Sequence, residues 1–256
     1  ASYGELGIVP LDSWDYTTFI NISPRAIFGP DQIPHVGATQ AQLANPNLKW
    51  EERRIKNIGI DVGLLENRVS LSVEAYNSLS EDNLLRLPVA GYLGNLVANP
   101  FINAGSIRNT GFEIAATYRN SSRELKWDVS LNVTTIKNKV EDVGNQGEGI
   151  NYIQVGNTRT QVGRSLGEWY LLRTSGIFQS DAEAQNYRNA DGKVIQPFAR
   201  AGDIRFVDKD GNGEINNDDR DFVGSPWPTL QSGAQFNAAY KNFSLNIQLI
   251  GVFGYT

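Results

Sequence analysis

One stretch of the chain has residue types and spacing suited to holding an ion. It reads Asp208-Lys209-Asp210-Gly211-Asn212-Gly213-Glu214-Ile215-Asn216-Asn217-Asp218-Asp219. Within this twelve-residue frame, side-chain oxygens fall at positions 1, 3, 5, 9 and 12, glycine at position 6 and isoleucine at position 8. A hard cation takes six to eight oxygens, and alternate residues of a tightly curled loop all point inward. The spacing therefore predicts that Asp208, Asp210, Asn212, the Glu214 carbonyl, Asn216 and Asp219 surround a divalent cation. Ca2+ is the first expectation. Asp219 stands where a calcium loop usually has the longer glutamate, which weakens two-oxygen coordination and leaves Mg2+ as the alternative. No helical pattern flanks the loop, so it would be a calcium loop without the helix pair. The plainer reading is an Asx-rich turn that never binds metal. The ion's role would be to brace the loop, since no nucleophile or base sits beside it in sequence.

Reaction chemistry is otherwise sparse, and no enzyme is expected. The single histidine, His35, sits in a Gly/Pro-rich loop and reads as a solvated surface residue. With no cysteine there is no thiol catalysis, disulfide or zinc-thiolate site. No acidic pair is marked as a glycosidase dyad. The net charge of -5 is spread along the chain without a basic patch, which argues against nucleic acid as a partner. Residues 181–187 read as a short helix capped by Ser180. No apolar run approaches the ~18–20 residues of a transmembrane helix, and no signal peptide is visible. The chain contains no methionine and starts on Ala1; residues 1–256 are read as an internal segment of a longer protein.

The elements that must position the loop are strands. Ile58, Ile60, Val62 and Leu64 alternate with Gly59, Asp61 and Gly63. The same period runs through Val69 to Tyr76, Phe112 to Arg119, Leu125 to Thr134, Ala234 to Tyr240 and Phe243 to Leu249. One greasy and one wet face per strand is the reading. A soluble antiparallel sandwich alternates in the same way. Two features favour a membrane barrel instead. The strands are about 9–11 residues long, the length that crosses a bilayer at a tilt. The turns also fall into two classes: tight ones at 65–68, 119–124 and 241–242, and very long connections elsewhere. That is the layout of an outer-membrane barrel.

Strand direction then fixes the topology. With the tight turns on one rim, strands run 54–64, 68–77, 105–119, 125–137, 230–240 and 243–255, and residues 1–5 end another. The stretch 138–229 begins and ends on the same rim. It is expected to be one long extracellular loop region holding the helix at 181–187, the calcium-like loop at 208–219, and exposed aromatics Trp169, Tyr170 and Phe178. These aromatics either face sugars and partner side chains or form the small core of a loop subdomain. Residues 6–53 are external by the same count. Trp127, Tyr118, Tyr240 and Phe243 are placed as a girdle at the tight-turn rim, with Trp50, Tyr76 and Tyr255 at the other. About seven crossings are too few to close a wide barrel, so further strands lie outside this segment.

The segments also carry a resemblance. Asn45-Pro46-Asn47-Leu48-Lys49-Trp50-Glu51 followed by Asn57-Ile58-Gly59-Ile60-Asp61 is similar to the "NPxLKWE…NIGxD" signature of SusC/RagA-type TonB-linked outer-membrane transporters. Ser2-Tyr3-Gly4-Glu5-Leu6-Gly7 resembles that family's "SYGxLGN", with Ile8 in place of Asn. The stretch from Asn103 to Glu113, Asn138-Lys139-Val140, Gly176-Ile177-Phe178-Gln179-Ser180, and Gly202 to Pro228 match in the same order, with Asn212 where the family commonly has Asp. The resemblance implies an all-β segment of a large antiparallel transmembrane barrel of about 22 strands, taken from its C-terminal part, with long extracellular loops. The N-terminal plug would be absent from 1–256. It further implies residence in the bacterial outer membrane, a SusD-like lipoprotein lid, energy from the TonB complex through a part outside this segment, and import of oligosaccharides or peptides. The alternative reading is a secreted, calcium-braced, β-rich carbohydrate-binding module.

Overall fold

The computed structural model describes residues 1–8, 16–22, 25–40, 45–86, 101–121, 124–144 and 149–256. The chain opens on β1 (Ser2–Ile8). Two short ribbons follow, β2 (Ile20–Asn21) with β5 (Thr39–Gln40), and between them β3 (Arg25–Phe28) with β4 (Ile33–Val36). A tight hairpin joins β6 (Glu51–Leu64) to β7 (Val69–Glu81). The ribbon of β8 (Leu84–Arg86) and β9 (Phe101–Asn103) leads to a second hairpin, β10 (Ser106–Ser121) and β11 (Leu125–Thr135), which β12 (Lys137–Asp142) continues. Then come β13 (Tyr152–Val155), β14 (Thr158–Gln161), β15 (Glu168–Leu172), β16 (Thr174–Ile177), α1 (Asp181–Asn186), β17 (Ile204–Phe206) and β18 (Arg220–Gly224). The last hairpin is β19 (Leu230–Tyr240) and β20 (Phe243–Phe253).

The long strands form one antiparallel sheet in the order β1-β6-β7-β10-β11-β19-β20, with β12 added to β10. This is a partial β-barrel wall. Register turns the alternation of single strands into continuous rows. One row runs Val62–Leu71–Ala116–Leu131–Ala234–Leu249 and the next Leu64–Val69–Tyr118–Val129–Phe236–Ile247. On the opposite face Gly63–Ser70–Thr117–Ser130–Gln235–Gln248 line up, with Thr117 and Ser130 hydroxyls 3.0 Å apart. A one-residue slip in any strand would break every row at once.

None of the described residues covers the apolar rows. Leu131 is 50% and Leu249 65% exposed, and the buried apolar residues among those described are Leu84, Ala104, Val140, Val143, Phe178, Ala184, Ile195 and Ala199, none in a row. A soluble sandwich would have covered them with a second sheet. No helix among the described residues is long and apolar enough to cross a membrane, which says nothing of strands.

Two local readings change. Strands β6, β7 and β10 run 13 to 16 residues, longer than the alternation indicated, while β11, β19 and β20 run 11 as expected. The added ends, such as Glu51–Lys56 and Asn77–Glu81, carry polar residues on both faces and so show no period. Tyr76 is not a girdle residue. Its place in β7 puts it on the polar face, opposite Gly111, with its hydroxyl donating to the Thr135 carbonyl at 3.2 Å. A Cβ on Gly111 would sit 1.9 Å from that carbonyl oxygen, so the glycine makes room for both. At the tight-turn rim the Tyr118 and Trp127 rings lie tilted against each other with centres 5.1 Å apart, and those of Trp127 and Phe236 likewise at 6.4 Å. The Leu65–Arg68 turn holds Leu65, Glu66 and Asn67 at positive φ. Residues 122 and 123 of the turn after β10 lie outside the described residues.

Candidate metal centre and its loop scaffold

The sheet forks where the long insert leaves it. The Ile136 amide donates to the Thr229 carbonyl at 2.9 Å, closing the paired stretch of β11 and β19. Beyond that bond β12 stays with β10, while residues 225–229 follow the end of the chain, the Thr256 amide donating to Ser225 at 2.9 Å. Residues 163–169 fill the gap. Val140 and its neighbours bond to Gly163 and Arg164, Trp227 donates its indole N–H to the Leu166 carbonyl at 2.8 Å, and Trp169 donates to the Thr256 carbonyl at 2.8 Å. Insert residues outside the wall then build two small units, the sheet β13-β14-β15-β18 and the ribbon β16-β17 beside α1.

These units explain the aromatics. Phe178 is 1% exposed and forms a small core with Ala184, Ala199 and Tyr187, edge-on to the Tyr187 ring at 5.7 Å. It is not on the surface. Tyr170 is half-buried, edge-on to Phe222 at 5.1 Å, with the Arg159 guanidinium 3.6 Å from its ring centre and 4.0 Å from that of Tyr152. Period-2 reading cannot see these contacts because the strands are only four or five residues long. The predicted helix is present with Ser180 as its cap, the hydroxyl accepting from the Glu183 amide at 3.1 Å.

The calcium-like loop connects β17 to β18, whose partners β16 and β15 are consecutive in the chain. Both ends of the loop are therefore pinned to one short piece of backbone, and Val207 donates to the Arg173 carbonyl between them at 2.9 Å. Within this frame the carboxylate oxygens of Asp208, Asp210 and Asp219 lie within 4.8 Å of one another. Asp208 accepts from the Gly211 and Gly213 amides, both at 2.8 Å, and Gly211 and Gly213 each have φ of 78°. Asp219, 1% exposed, accepts from the Lys209 and Asn216 amides at 2.8 Å. Asn216 caps the 3-10 turn Asn217–Asp219, accepting from the Asp218 amide at 2.7 Å. Asp210 and Asn212 accept from the Asn212 and Glu214 amides.

Three of the predicted donors thus share one pocket. Asn212 and Asn216 border it with side-chain oxygens engaged by local amides, and the Glu214 carboxylate points away, 2.6 Å from Lys193. Among the described residues no Lys or Arg pairs with Asp208, Asp210 or Asp219 within 4 Å. Converging carboxylates without a basic partner, one of them buried, suit a hard cation. The basic groups nearby are engaged elsewhere. Lys193 holds the Glu214 carboxyl below its usual range by hydrogen bond and charge. Burial pushes Asp221 up, but the hydrogen bonds from Lys209 and the Phe222 amide, with the charges of Lys209 and Arg173, outweigh it and leave the carboxyl low.

Sequence reading missed a second brace. The turn at Asn189–Lys193 lies against the loop, Asn189 donating its side-chain N–H to the Gly211 carbonyl at 3.1 Å. A Cβ on Gly213 would meet Asn189 and Lys193 at 2.9 Å. The Asn-x-Asp-Gly composition of 189–192 signals a turn, but nothing local says what it touches.

Known proteins share this architecture. The family model described as TonB-dependent receptor-like β-barrel matches residues 1–249. TonB-dependent receptor P3 of Formosa agariphila is 29% identical over 254 residues, 96% of this chain and 24% of that one. TonB-dependent receptor SusC of Bacteroides thetaiotaomicron is 27% identical over 228 residues, 84% of this chain and 20% of that one. The solved structure of the RagAB peptide transporter superposes with a TM-score of 0.75 at 19% identity, over 98% of this chain and 26% of that chain, a likeness of fold. The chain spans about a quarter of the length of these relatives.

Proposed function

The chain belongs to the TonB-dependent receptor-like β-barrel family, and from that premise we propose that it forms part of the wall and outer rim of an outer-membrane nutrient importer. In this reading the importer takes up oligosaccharides or peptides beneath a SusD-like surface lipoprotein. The TonB complex drives it through a part of the protein other than these strands. The observation that carries the reading is the bare apolar face: rows such as Val62–Leu71–Ala116–Leu131–Ala234–Leu249 cross six strands with none of the described residues over them. Patches of that extent on a secreted binding module would drive aggregation, whereas against acyl chains they cost nothing. The opposite, polar face suits a wet interior. The insert 138–229 is then extracellular, part of the rim that meets lid and substrate. Within it Asp208, Asp210, Asn212, the Glu214 carbonyl, Asn216 and Asp219 hold Ca2+, with Mg2+ as the alternative, and the ion braces the insert.

The test uses the full-length protein in its own cells. It should stay in the membrane fraction until detergent is added and bring a surface lipoprotein with it on affinity purification. Deleting its gene should stop uptake of one oligosaccharide or peptide class. Recovery in the soluble fraction, or purification without any lipoprotein, would count against the importer.

A further inference from the structure

One face of the small sheet β13-β14-β15-β18 carries an arginine whose charge nothing answers. Strand β14 lies between β13 and β15, so the Arg159 guanidinium stands between two phenol rings, 4.0 Å from the centre of Tyr152 and 3.6 Å from that of Tyr170. Its Nε and Nη2 donate to Gln154 Oε1 at 3.1 and 2.7 Å. Stacked on two sides and bonded along one edge, the group has little rotamer freedom left. Glu168 lies directly opposite Arg159 in register, but both its oxygens are taken. Oε2 pairs with Arg164 Nε at 2.6 Å, and Oε1 accepts from the Ser165 amide at 3.0 Å. No carboxylate among the described residues lies within 4 Å of Arg159. Arg164 is the contrast on the same sheet: it covers the Phe222 ring at 3.7 Å, and its charge is met by Glu168. The Tyr152 and Tyr170 hydroxyls have no hydrogen-bond partner among the described residues.

We propose that Arg159, with the flanking Tyr152 and Tyr170 hydroxyls, binds the carboxylate of an acidic sugar, a uronic acid, carried by the cargo. The inference rests on the importer reading, which places this sheet outside the cell, and narrows the cargo class. Gln154 occupies the Nε/Nη2 edge of the guanidinium, so the Nη1/Nη2 end remains. That end presents two parallel N–H groups, the fork that matches both oxygens of a carboxylate. The rings and Gln154 hold the fork before any ligand arrives, so little side-chain entropy is lost on binding. Arg220, on the same face, spends Nη1 on the Gly156 and Tyr170 carbonyls, both at 3.4 Å, and has no carboxylate within 4 Å either. Its charge adds to the attraction for an anion. The two hydroxyls name the rest of the ligand. In a uronic acid the carbons beside the carboxylate carry hydroxyl and ring oxygens, whereas in an acidic peptide side chain they are methylenes. Two unpartnered phenol hydroxyls beside the fork suit the sugar.

The experiment measures ligand binding to the full-length protein, purified in detergent, by saturation-transfer NMR with competition. The probes are D-glucuronate, D-glucose and L-glutamate. The wild type should bind glucuronate at least about tenfold more tightly than glucose and at least about threefold more tightly than glutamate. Arg159→Gln should erase the preference over glucose. Arg159→Lys, which keeps the charge without the fork, should lose most of it. Arg173→Gln, elsewhere in the insert, should leave it intact. A wild type that treats glucuronate and glucose alike overturns the proposal, as does a folded Arg159→Gln that still prefers glucuronate. Glutamate bound as tightly as glucuronate overturns the assignment to a sugar. If Arg159→Gln disrupts the small sheet, the double variant Tyr152→Phe, Tyr170→Phe decides, because it keeps both rings on the guanidinium. Glucuronate should then bind at least about threefold more weakly, and an unchanged affinity counts against. A wild type found in the soluble fraction sinks the importer reading whether or not it binds glucuronate. A membrane-bound wild type indifferent to glucuronate sinks only the acidic-sugar site.

Discussion

Asp219 is the most confined carboxylate of the described residues, 1% exposed with both oxygens accepting backbone amides from opposite ends of its loop. Its place beside Asp208 and Asp210 was legible because a hard-cation loop demands oxygens at fixed positions, and the three carboxylates do converge. The brace from Asn189 and Lys193 was not, since it joins residues about twenty apart through a turn with no period. For Phe178 the sequence left two readings open, a surface contact or the core of a loop subdomain, because a lone aromatic in a loop gives no sign of what forms around it; the structure takes the second. Replacing Asp208 by Ala removes the acceptor of the Gly211 and Gly213 amides. Leaving such donors without a partner costs about 1–3 kcal/mol where they are buried. The expected outcome is faster amide exchange over 204–224 and loss of any calcium-dependent protection there, with the wall strands unchanged. Equal exchange in both proteins, with and without calcium, would remove the ion's bracing role.

At the scale of the element, alternation announced the strands wherever one face meets an apolar medium and the other water. It fell silent at 51–57 and 77–81, where both faces are polar, and there the structure adds a charged collar. The two faces should respond differently to the same insult. Leu131→Arg places a charge in an apolar row and is expected to cost about 2–4 kcal/mol near the midplane, read as a lower midpoint in refolding into vesicles. Ser130→Arg, one residue away on the polar face, should cost far less, and equal costs would contradict the barrel. Gly111 is a tight point of the wall. Gly111→Ala puts a methyl 1.9 Å from the Thr135 carbonyl, under the Tyr76 ring. Overpacking of this kind costs about 1–3 kcal/mol and should show as faster amide exchange in β10 and β11 near the fork. A wild-type exchange pattern would mean the strands part there without cost.

For the whole molecule, parity was enough to deduce that the insert leaves and rejoins the wall at one rim, because β11 and β19 pair directly from Leu125↔Tyr240 to Thr135↔Leu230. What parity cannot give is the side of the membrane on which that rim lies. Single cysteines answer this cleanly, since the chain has no native one. Introduced at Asn189 or Asn217 in intact cells, they should react with an impermeant reagent, while those at Asn67 or Asn242 should not. The reverse pattern would turn the barrel over and take the lid with it.

The single hydrogen bond between Ile136 and Thr229 has a consequence for how such a protein can be rewritten. It makes residues 136 and 229 immediate neighbours, so the pairing of β11 with β19 does not depend on the length of chain between them, while β12 at the start of that chain still pairs β10. Once those ends are held together, doubling the intervening length costs only about 0.6 kcal/mol in chain entropy. The insert is in effect a cassette. Exchanging residues 143–224 between relatives, which keeps β12 on β10, should transplant recognition while leaving the register of the wall undisturbed.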